Sequence, residues 1–303
     1  MIHFPESYAD IDVPDGAVVR SGGTDLQERL RSLNAAPTIV DLTGVAGFAG
    51  IASSATGVRI GGGTRMAVVA SELADSFPAL AIATGSLATP QVRAIGTIAG
   101  NLTQHTRCWY YRHPDTDPCF KTGGDSCPAR TGRHLYGNVF DTSDCVHPHP
   151  STIAMALRCY DSTIELADGA RRSLDEVLGD GSDPTCDHQL ADGDVIAAIE
   201  IADPWVGERA AYFRSISRFE AEWPLVEAVA RARFDGDTVA ECALAIGDAP
   251  SVQASAARWM SSSSSVVPTS VAAAASIASG TGPTPPIASA HSATVSPSKR
   301  ARA

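Results

Sequence analysis

The chain has 303 residues, 44% of them hydrophobic, with 34 acidic against 23 basic side chains and a formal net charge of -11. That length and apolar content suit two compact units with sizeable cores, and the acidic balance disfavours nucleic-acid or anionic-membrane binding, which selects a basic face. The leader MIHFPESYADIDVPDG lacks the basic-then-apolar order of a signal peptide and no apolar run is long enough to span a bilayer, so a cytoplasmic setting is expected.

Ala17 to Arg20 reads as a short strand running into Ser21-Gly22-Gly23-Thr24-Asp25, with the helical pattern LQERLRSLN behind it. Adjacent glycines let backbone approach a ligand and take positive φ. Thr24 and Asp25 are good N-cap types, so the turn would present N–H groups to an anion. Pro37 to Leu42 reads as the second strand of a βαβ unit. Val58 to Ile60 then leads into Gly61-Gly62-Gly63-Thr64-Arg65 and the helical run MAVVASELAD, repeating the order. Met66 stands where a dinucleotide fingerprint needs its last glycine and no P-loop ending follows, which disfavours a nicotinamide Rossmann site. A small-residue helix, AIATGSLA, precedes Pro90 to Arg93 and a third turn, Gly96-Thr97-Ile98-Ala99-Gly100-Asn101, with the Thr97 hydroxyl and Asn101 amide beside its backbone donors. Three such turns fit a diphosphate held by main chain.

Cys108, Cys119, Cys127 and Cys145 follow in a loop rich in glycine, proline, arginine and aromatics. Seven cysteines in a chain of this size favour reduced thiols or metal ligands over bridges. The spacing C-x10-C-x7-C-x17-C lacks the C-x2-C pairs of structural zinc, whereas four thiolates supply one ligand per iron of an iron–sulfur cluster. Zinc is the weaker metal reading, and four unliganded thiols the plainer alternative. Arg107, Arg112, Lys121, Arg130 and Arg133 are expected to offset cluster charge. Cys159, Cys186 and Cys242 read as structural thiols, His147 and His149 as turn residues, and His105 and His113 as solvated loop histidines. Asp161 to Leu166 and Asp194 to Ile201 read as strands with the helix SLDEVLGD between them. Tyr212 to Phe219, Val226 to Phe234 and Val239 to Ile246 follow as strands, the last two joined by Asp235-Gly236-Asp237. Glu220 and Glu222 are expected to face solvent. Beyond Pro250 a Ser, Ala, Thr and Pro tract has little power to form a core.

SGGTDL at Ser21 to Leu26, paired with RAIGTIAGNL at Arg93 to Leu102, resembles the AGGTDL and RNxGTIGGNL pair in FAD-binding subunits of molybdenum hydroxylases, the xanthine dehydrogenase and aldehyde oxidoreductase family. The resemblance runs from about residue 15 to 250 and implies an α+β fold. That fold is the two-subdomain FAD module of the p-cresol methylhydroxylase and vanillyl-alcohol oxidase type, with a smaller, incomplete α+β C-terminal domain. The boundaries it implies are 1–55 and 56–204 for the subdomains, an iron–sulfur insertion at about 104–147, a partial C-terminal domain at 205–250 and a low-complexity, disordered tail at 251–303. Ser21, Gly22, Gly23, Thr24, Asp25 and Leu26 would wrap the FAD diphosphate. Gly96, Thr97, Ile98, Gly100 and Asn101 would meet the flavin and its ribityl chain. RCWYYR, with Pro118-Cys119, Ser126-Cys127-Pro128 and Asp144-Cys145, resembles the insertion of bacterial aldehyde oxidoreductase flavoproteins and of 4-hydroxybenzoyl-CoA reductase. It implies a [4Fe–4S] cluster on Cys108, Cys119, Cys127 and Cys145. Thr152 stands where relatives carry a flavin-site aspartate, and Arg218 is a candidate flavin neighbour.

The resemblance implies an electron-transfer subunit. A molybdenum-cofactor large subunit would oxidise an aldehyde or aromatic heterocycle, and the [2Fe–2S] centres of a small subunit would pass electrons to FAD and on to a small-molecule acceptor, in a heterotrimer or its dimer. No side-chain acid or base is needed, and no catalytic residue, nucleic acid or membrane partner is expected. The alternatives are a free-standing FAD oxidoreductase of the same fold and an assembly subunit that has lost flavin. The short leader and the compositional break after Pro250 lead us to expect a frameshift or degeneration that weakens flavin retention.

Overall fold

The computed structural model describes residues 1–31, 36–113, 117–133, 137–138, 143–147, 149–216, 219, 221–248 and 257–260. Among the described residues helix and sheet are mixed, and three sheets organise them. The first is parallel, with β1 (Ile2–His3), β2 (Val18–Arg20) and β3 (Ile39–Asp41) in the order β1-β3-β2. Helix α1 (Leu26–Leu30) lies between β2 and β3 in the chain, as the apolar pattern predicts. Val40 and Leu42 bury against Val45, Phe48 and Val195, giving this small unit its own core.

The second sheet is antiparallel, in the order β4-β5-β8-β6-β7. Its strands are β4 (Ile51–Ser53), β5 (Gly57–Gly61), β6 (Ser162–Leu166), β7 (Arg171–Ser173) and β8 (Ile196–Ala202). Ile51 pairs with Ile60, so this sheet already begins inside the stretch 1–55. Between β5 and β6 run α2 (Met66–Glu72), α3 (Pro78–Gly85), α4 (Pro90–Arg93), α5 (Ile98–Leu102), α6 (Trp109–Arg112), α7 (Pro128–Thr131) and α8 (Thr152–Arg158). Helix α9 (Leu174–Leu178) follows β7 and starts with a capping box of Ser173 and Glu176. Five consecutive residues of α8, Ile153 to Leu157, expose no surface, because α3 packs against it from one direction and the third sheet from another. A helix apolar on every side belongs in a core, and each large side chain buried this fully contributes about 1.5–3 kcal/mol.

The third sheet is antiparallel, β12-β11-β10-β9, from β9 (Arg209–Ser215), β10 (Val226–Asp235), β11 (Thr238–Asp248) and β12 (Ala257–Met260). Gly236, at φ +57, makes the predicted tight hairpin between β10 and β11. Strand β12 falls in the stretch assigned to a structureless tail. The free edge of β11 offers unpaired backbone groups, and Ala257–Met260 pairs with them. The rest of that tail, with Arg218 and Glu220, lies outside the described residues. Arg231 of the third sheet is fastened to the segments flanking β6 and β8, its guanidinium carbon lying 3.8 Å from the Trp205 ring centroid and 4.1 Å from that of Tyr160. The same guanidinium pairs with Glu208 at 2.8 Å and donates to the Cys159 carbonyl at 3.1 Å. No helix among the described residues is long and apolar enough to cross a membrane.

Candidate cofactor cleft

A cleft of about 1310 Å³ opens between the first βαβ unit and the turn that leads into α5. That exceeds the roughly 300–1,000 Å³ of ordinary small-molecule pockets and leaves room for an extended ligand. All the predicted cofactor residues except one line it: Ser21 to Leu26 on one side, Gly96, Thr97, Gly100 and Asn101 on the other. The exception is Ile98, whose side chain is fully buried in the main core and does not line the cleft.

The two turns meet main chain to main chain. A Cβ on Gly22 would stand 2.4 Å from the Ile95 carbonyl oxygen and 2.9 Å from Gly96 Cα, and one on Gly96 would stand 2.5 Å from the Met66 methyl group. Gly23 adopts φ +71, the left-handed region that glycine enters without strain. The middle turn behaves differently. Gly61, Gly62 and Gly63 do not line the cleft; Phe48 closes over them, and a Cβ on Gly63 would stand 2.5 Å from its ring. Of the three glycine turns expected to face a diphosphate, two line the cleft and the middle one is filled by packing.

Side chains in the turns have local partners that spacing did not reveal. Asp25 stands at the start of α1 without capping it. Its carboxylate pairs with Arg107, accepts from Arg112 at 2.7 Å and accepts the His105 backbone N–H at 3.1 Å. Burial would raise the Asp25 carboxyl, but the two guanidinium groups and these hydrogen bonds hold it below the usual carboxylate range. The Thr97 hydroxyl caps its own helix by accepting from Gly100 N–H at 3.3 Å. Ser151 donates to Asn101 Oδ1 at 2.6 Å, which reserves the Asn101 amide nitrogen for other partners. Thr152, at the position of the family's aspartate, donates instead to the buried carboxylate of Glu227 at 2.8 Å. Glu222 lines the cleft rather than facing open solvent.

The cysteine segment packs beside this cleft. Cys108 and Cys119 are buried, Cys127 and Cys145 are half-buried, and none forms a disulfide. Burial pushes Cys145 up to about 11, and its neighbours Cys127 and Cys108 push in the same direction. Burial likewise raises Cys108, with Cys127 and Cys119 adding to it, so the four thiols share one neighbourhood. Among the described residues no three Cys, His, Asp or Glu side chains are arranged as a metal site. The cations expected to balance a cluster are directed elsewhere. Arg107 and Arg112 go to Asp25, Arg130 donates to the Asp144 carbonyl at 2.8 Å, and Lys121 pairs with Asp187, while still lowering the Cys145 thiol.

Asp187 is the residue that sequence reasoning missed. Its Oδ2 accepts from His105 Nδ1 at 2.8 Å, its Oδ1 pairs with Lys121, and its backbone oxygen accepts from His149 Nδ1 at 2.7 Å. Burial opposes its charge, yet the His105 hydrogen bond and the Lys121 ammonium bring it to about 2. His105 is therefore no solvated loop histidine, and His149, read as a turn residue, is buried. Burial drives His149 down to about 4, so it is neutral, with Nδ1 carrying the proton that Asp187 accepts. Nothing in the string CDHQLADGD marks Asp187; its partners lie 38 to 82 residues away.

Residues 8–204 match the family described as the FAD binding domain in molybdopterin dehydrogenase. The aldehyde oxidoreductase FAD-binding subunit PaoB of Escherichia coli (strain K12) is 30% identical over 233 residues, 73% of this chain and 72% of that protein. Reconstituted CO dehydrogenase from Oligotropha carboxidovorans superposes with a TM-score of 0.59 at 20% identity, covering 81% of this chain and 73% of that one. Quinoline 2-oxidoreductase from Pseudomonas putida 86 superposes with a TM-score of 0.58 at 18% identity, covering 84% and 75%. At those identities the structural likeness carries the fold alone. The family match takes in both cleft-lining glycine turns, the cysteine segment and the whole second sheet, and the chain belongs to the FAD-binding domain family of molybdopterin dehydrogenases.

Proposed function

We propose that the chain is the FAD-binding, electron-transferring subunit of a molybdenum-dependent hydroxylase or dehydrogenase that acts on an aldehyde or an aromatic heterocycle. The observation that carries this reading is the direct contact of the Gly22 and Gly96 turns along one long cleft. The residues present fit FAD. Glycine at both turns lets main-chain N–H groups reach a diphosphate with no side chain between. Pairing of Asp25 with Arg107 and Arg112 removes a bare carboxylate that would repel it. Bound there, the flavin supplies the redox chemistry, and the chain's part is to hold it in place, orient it and set its surroundings. The architecture assigned is the two-subdomain module of the p-cresol methylhydroxylase type, with the third sheet as its C-terminal domain. The partners assigned are a molybdenum-cofactor large subunit and a [2Fe–2S] small subunit in the cytoplasm, with a small molecule as final acceptor. The description of PaoB as an FAD-binding subunit supports a subunit role.

Cys108, Cys119, Cys127 and Cys145 are proposed as ligands of a [4Fe–4S] cluster. Four neighbouring thiols are the right donor chemistry, although the described geometry does not assemble three of them as ligands. One experiment tests both halves: the absorption spectrum of anaerobically purified chain, with FAD, iron, sulfide and zinc quantified on the same sample. Flavin bands over a broad shoulder with about four irons per chain support both. Flavin without iron removes the cluster, zinc replaces it, and absence of flavin after reconstitution overturns the functional reading.

A further inference from the structure

Two carboxylates, the half-buried Asp25 and the buried Asp187, grip the cysteine segment from different sides. Asp25 belongs to the first glycine turn and takes Arg107 and Arg112. Asp187 opens the stretch whose His188, Leu190 and Asp192 form another part of the cleft wall, and it takes His105, Lys121 and His149. His105 joins the two, since its backbone N–H donates to Asp25 at 3.1 Å and its ring Nδ1 to Asp187 at 2.8 Å. The Lys121 and Asp187 side chains are each only 3% exposed, and Lys121 Nζ also donates to the Cys186 carbonyl at 2.9 Å. Lys121 stands two residues after Cys119, so the pair fastens the cysteine segment to the cleft wall.

We propose that Asp187 is a positioning residue that holds the cysteine segment against the cofactor cleft, so that FAD binding and protection of the cysteine thiols rise and fall together. The proposal rests on the FAD reading above. Removing the carboxylate leaves the Lys121 ammonium in the interior without the counter-charge of Asp187, a strongly unfavourable state that moving the charge toward water relieves. Lys121 stands two residues from Cys119, so its movement toward water carries the segment around Cys119 away from the wall, and the wall then loses its tie as well. One group thus fixes two sites, and linkage makes the effect reciprocal: whatever orders the wall shields the thiols, and whatever orders the thiols tightens the cleft.

The test uses the full chain without metal, as wild type, Asp187→Asn, His105→Gln and a control, Asp168→Asn. Asp183, in the same stretch as Asp187, also interacts with Cys186 and Lys121, so the control is the exposed Asp168, whose carboxylate accepts the Ala170 backbone N–H at 2.9 Å in the turn between β6 and β7. FAD affinity is read by titration, and iodoacetamide labelling of Cys119 and Cys145 by mass spectrometry, with and without FAD. FAD is expected to slow labelling in the wild type. Asp187→Asn is expected to weaken FAD and speed labelling by about tenfold, within the 5- to 150-fold typical of coupled sites, and to abolish the protection by FAD. His105→Gln should shift both readouts the same way by less, and Asp168→Asn neither. Should Asp187→Asn fail to fold, His105→Gln decides. Unchanged affinity and labelling in the folded variants overturn the proposal, as does FAD that binds the wild type without protecting either thiol. A wild type that binds no FAD overturns the functional reading instead, and the clamp is then judged on labelling alone, where equal rates contradict it.

Discussion

The Gly22 and Gly62 turns share one sequence pattern, a short strand, adjacent glycines, a threonine and a helix, yet the fold uses them for opposite ends. At Gly22 the absent side chain lets one turn lie against another at the edge of a cleft. At Gly61 to Gly63 it lets Phe48 and strand β8 close over the backbone; Gly62 N–H donates to Ala197 at 2.7 Å and Gly63 N–H to Phe48 at 2.8 Å. Glycine in sequence reports that something comes close to the backbone. What comes close is decided by the rest of the chain.

The sharpest way to break this comparison is substitution at the two turns. Gly62→Ala puts a Cβ 2.3 Å from the Ile196 carbonyl oxygen and 2.9 Å from the Phe48 ring, so β8 has to move. Denaturant unfolding of the apoprotein should show a loss on the order of 3 kcal/mol, the upper part of the overpacking range, while the fraction that stays folded keeps its FAD affinity. Gly22→Ala forces the two cleft turns apart. It should cost the apoprotein only about 1 kcal/mol and weaken FAD about a hundredfold, read by flavin titration. Equal loss of FAD in both variants would erase the distinction.

Acid sharpens the same contrast, because the titrating groups sit on the cleft side. His149 is held near 4, below its ordinary 6.5, so its contribution to stability is complete above about pH 6.5 and is lost as pH falls toward 4. Asp187, held near 2, contributes fully above about pH 4 and loses that contribution between 4 and 2. Unfolding free energy should therefore drop from pH 6.5 downward, by on the order of 3 kcal/mol from His149 alone, and His149→Leu should flatten the first part of that slope. The penalty of Gly62→Ala, a steric one, should stay constant over the same range. Ile98→Val is the smallest expected change. A fully buried core position should cost about 1 kcal/mol on unfolding with FAD affinity unmoved, and weakened FAD would return Ile98 to the cofactor site.

Local pattern was enough for some of this fold. The strand before Ser21, the helix after it and the Asp235-Gly236-Asp237 hairpin follow from periodicity and turn chemistry. Ile2–His3 and Arg171–Ser173 do not, because two or three residues cannot display an alternation, and both are strands only through their partners. The cleft was legible where two glycine motifs fall at family spacing. Its charges were not. Arg107, Arg112 and Lys121 sit among the cysteines in sequence, which suggested cluster counter-charges, but folding brings Asp25 and Asp187 to them from 82, 87 and 66 residues away. A pairing over that distance leaves no trace in local spacing.

The central claim, that FAD lies where the Gly22 and Gly96 turns touch, is tested most directly by titrating FAD into the wild-type apoprotein and Gly22→Ala side by side. One FAD should bind per wild-type chain, with an affinity reduced about a hundredfold in a Gly22→Ala chain that remains folded. Equal affinity in the two, or no binding by a folded wild type, would contradict it.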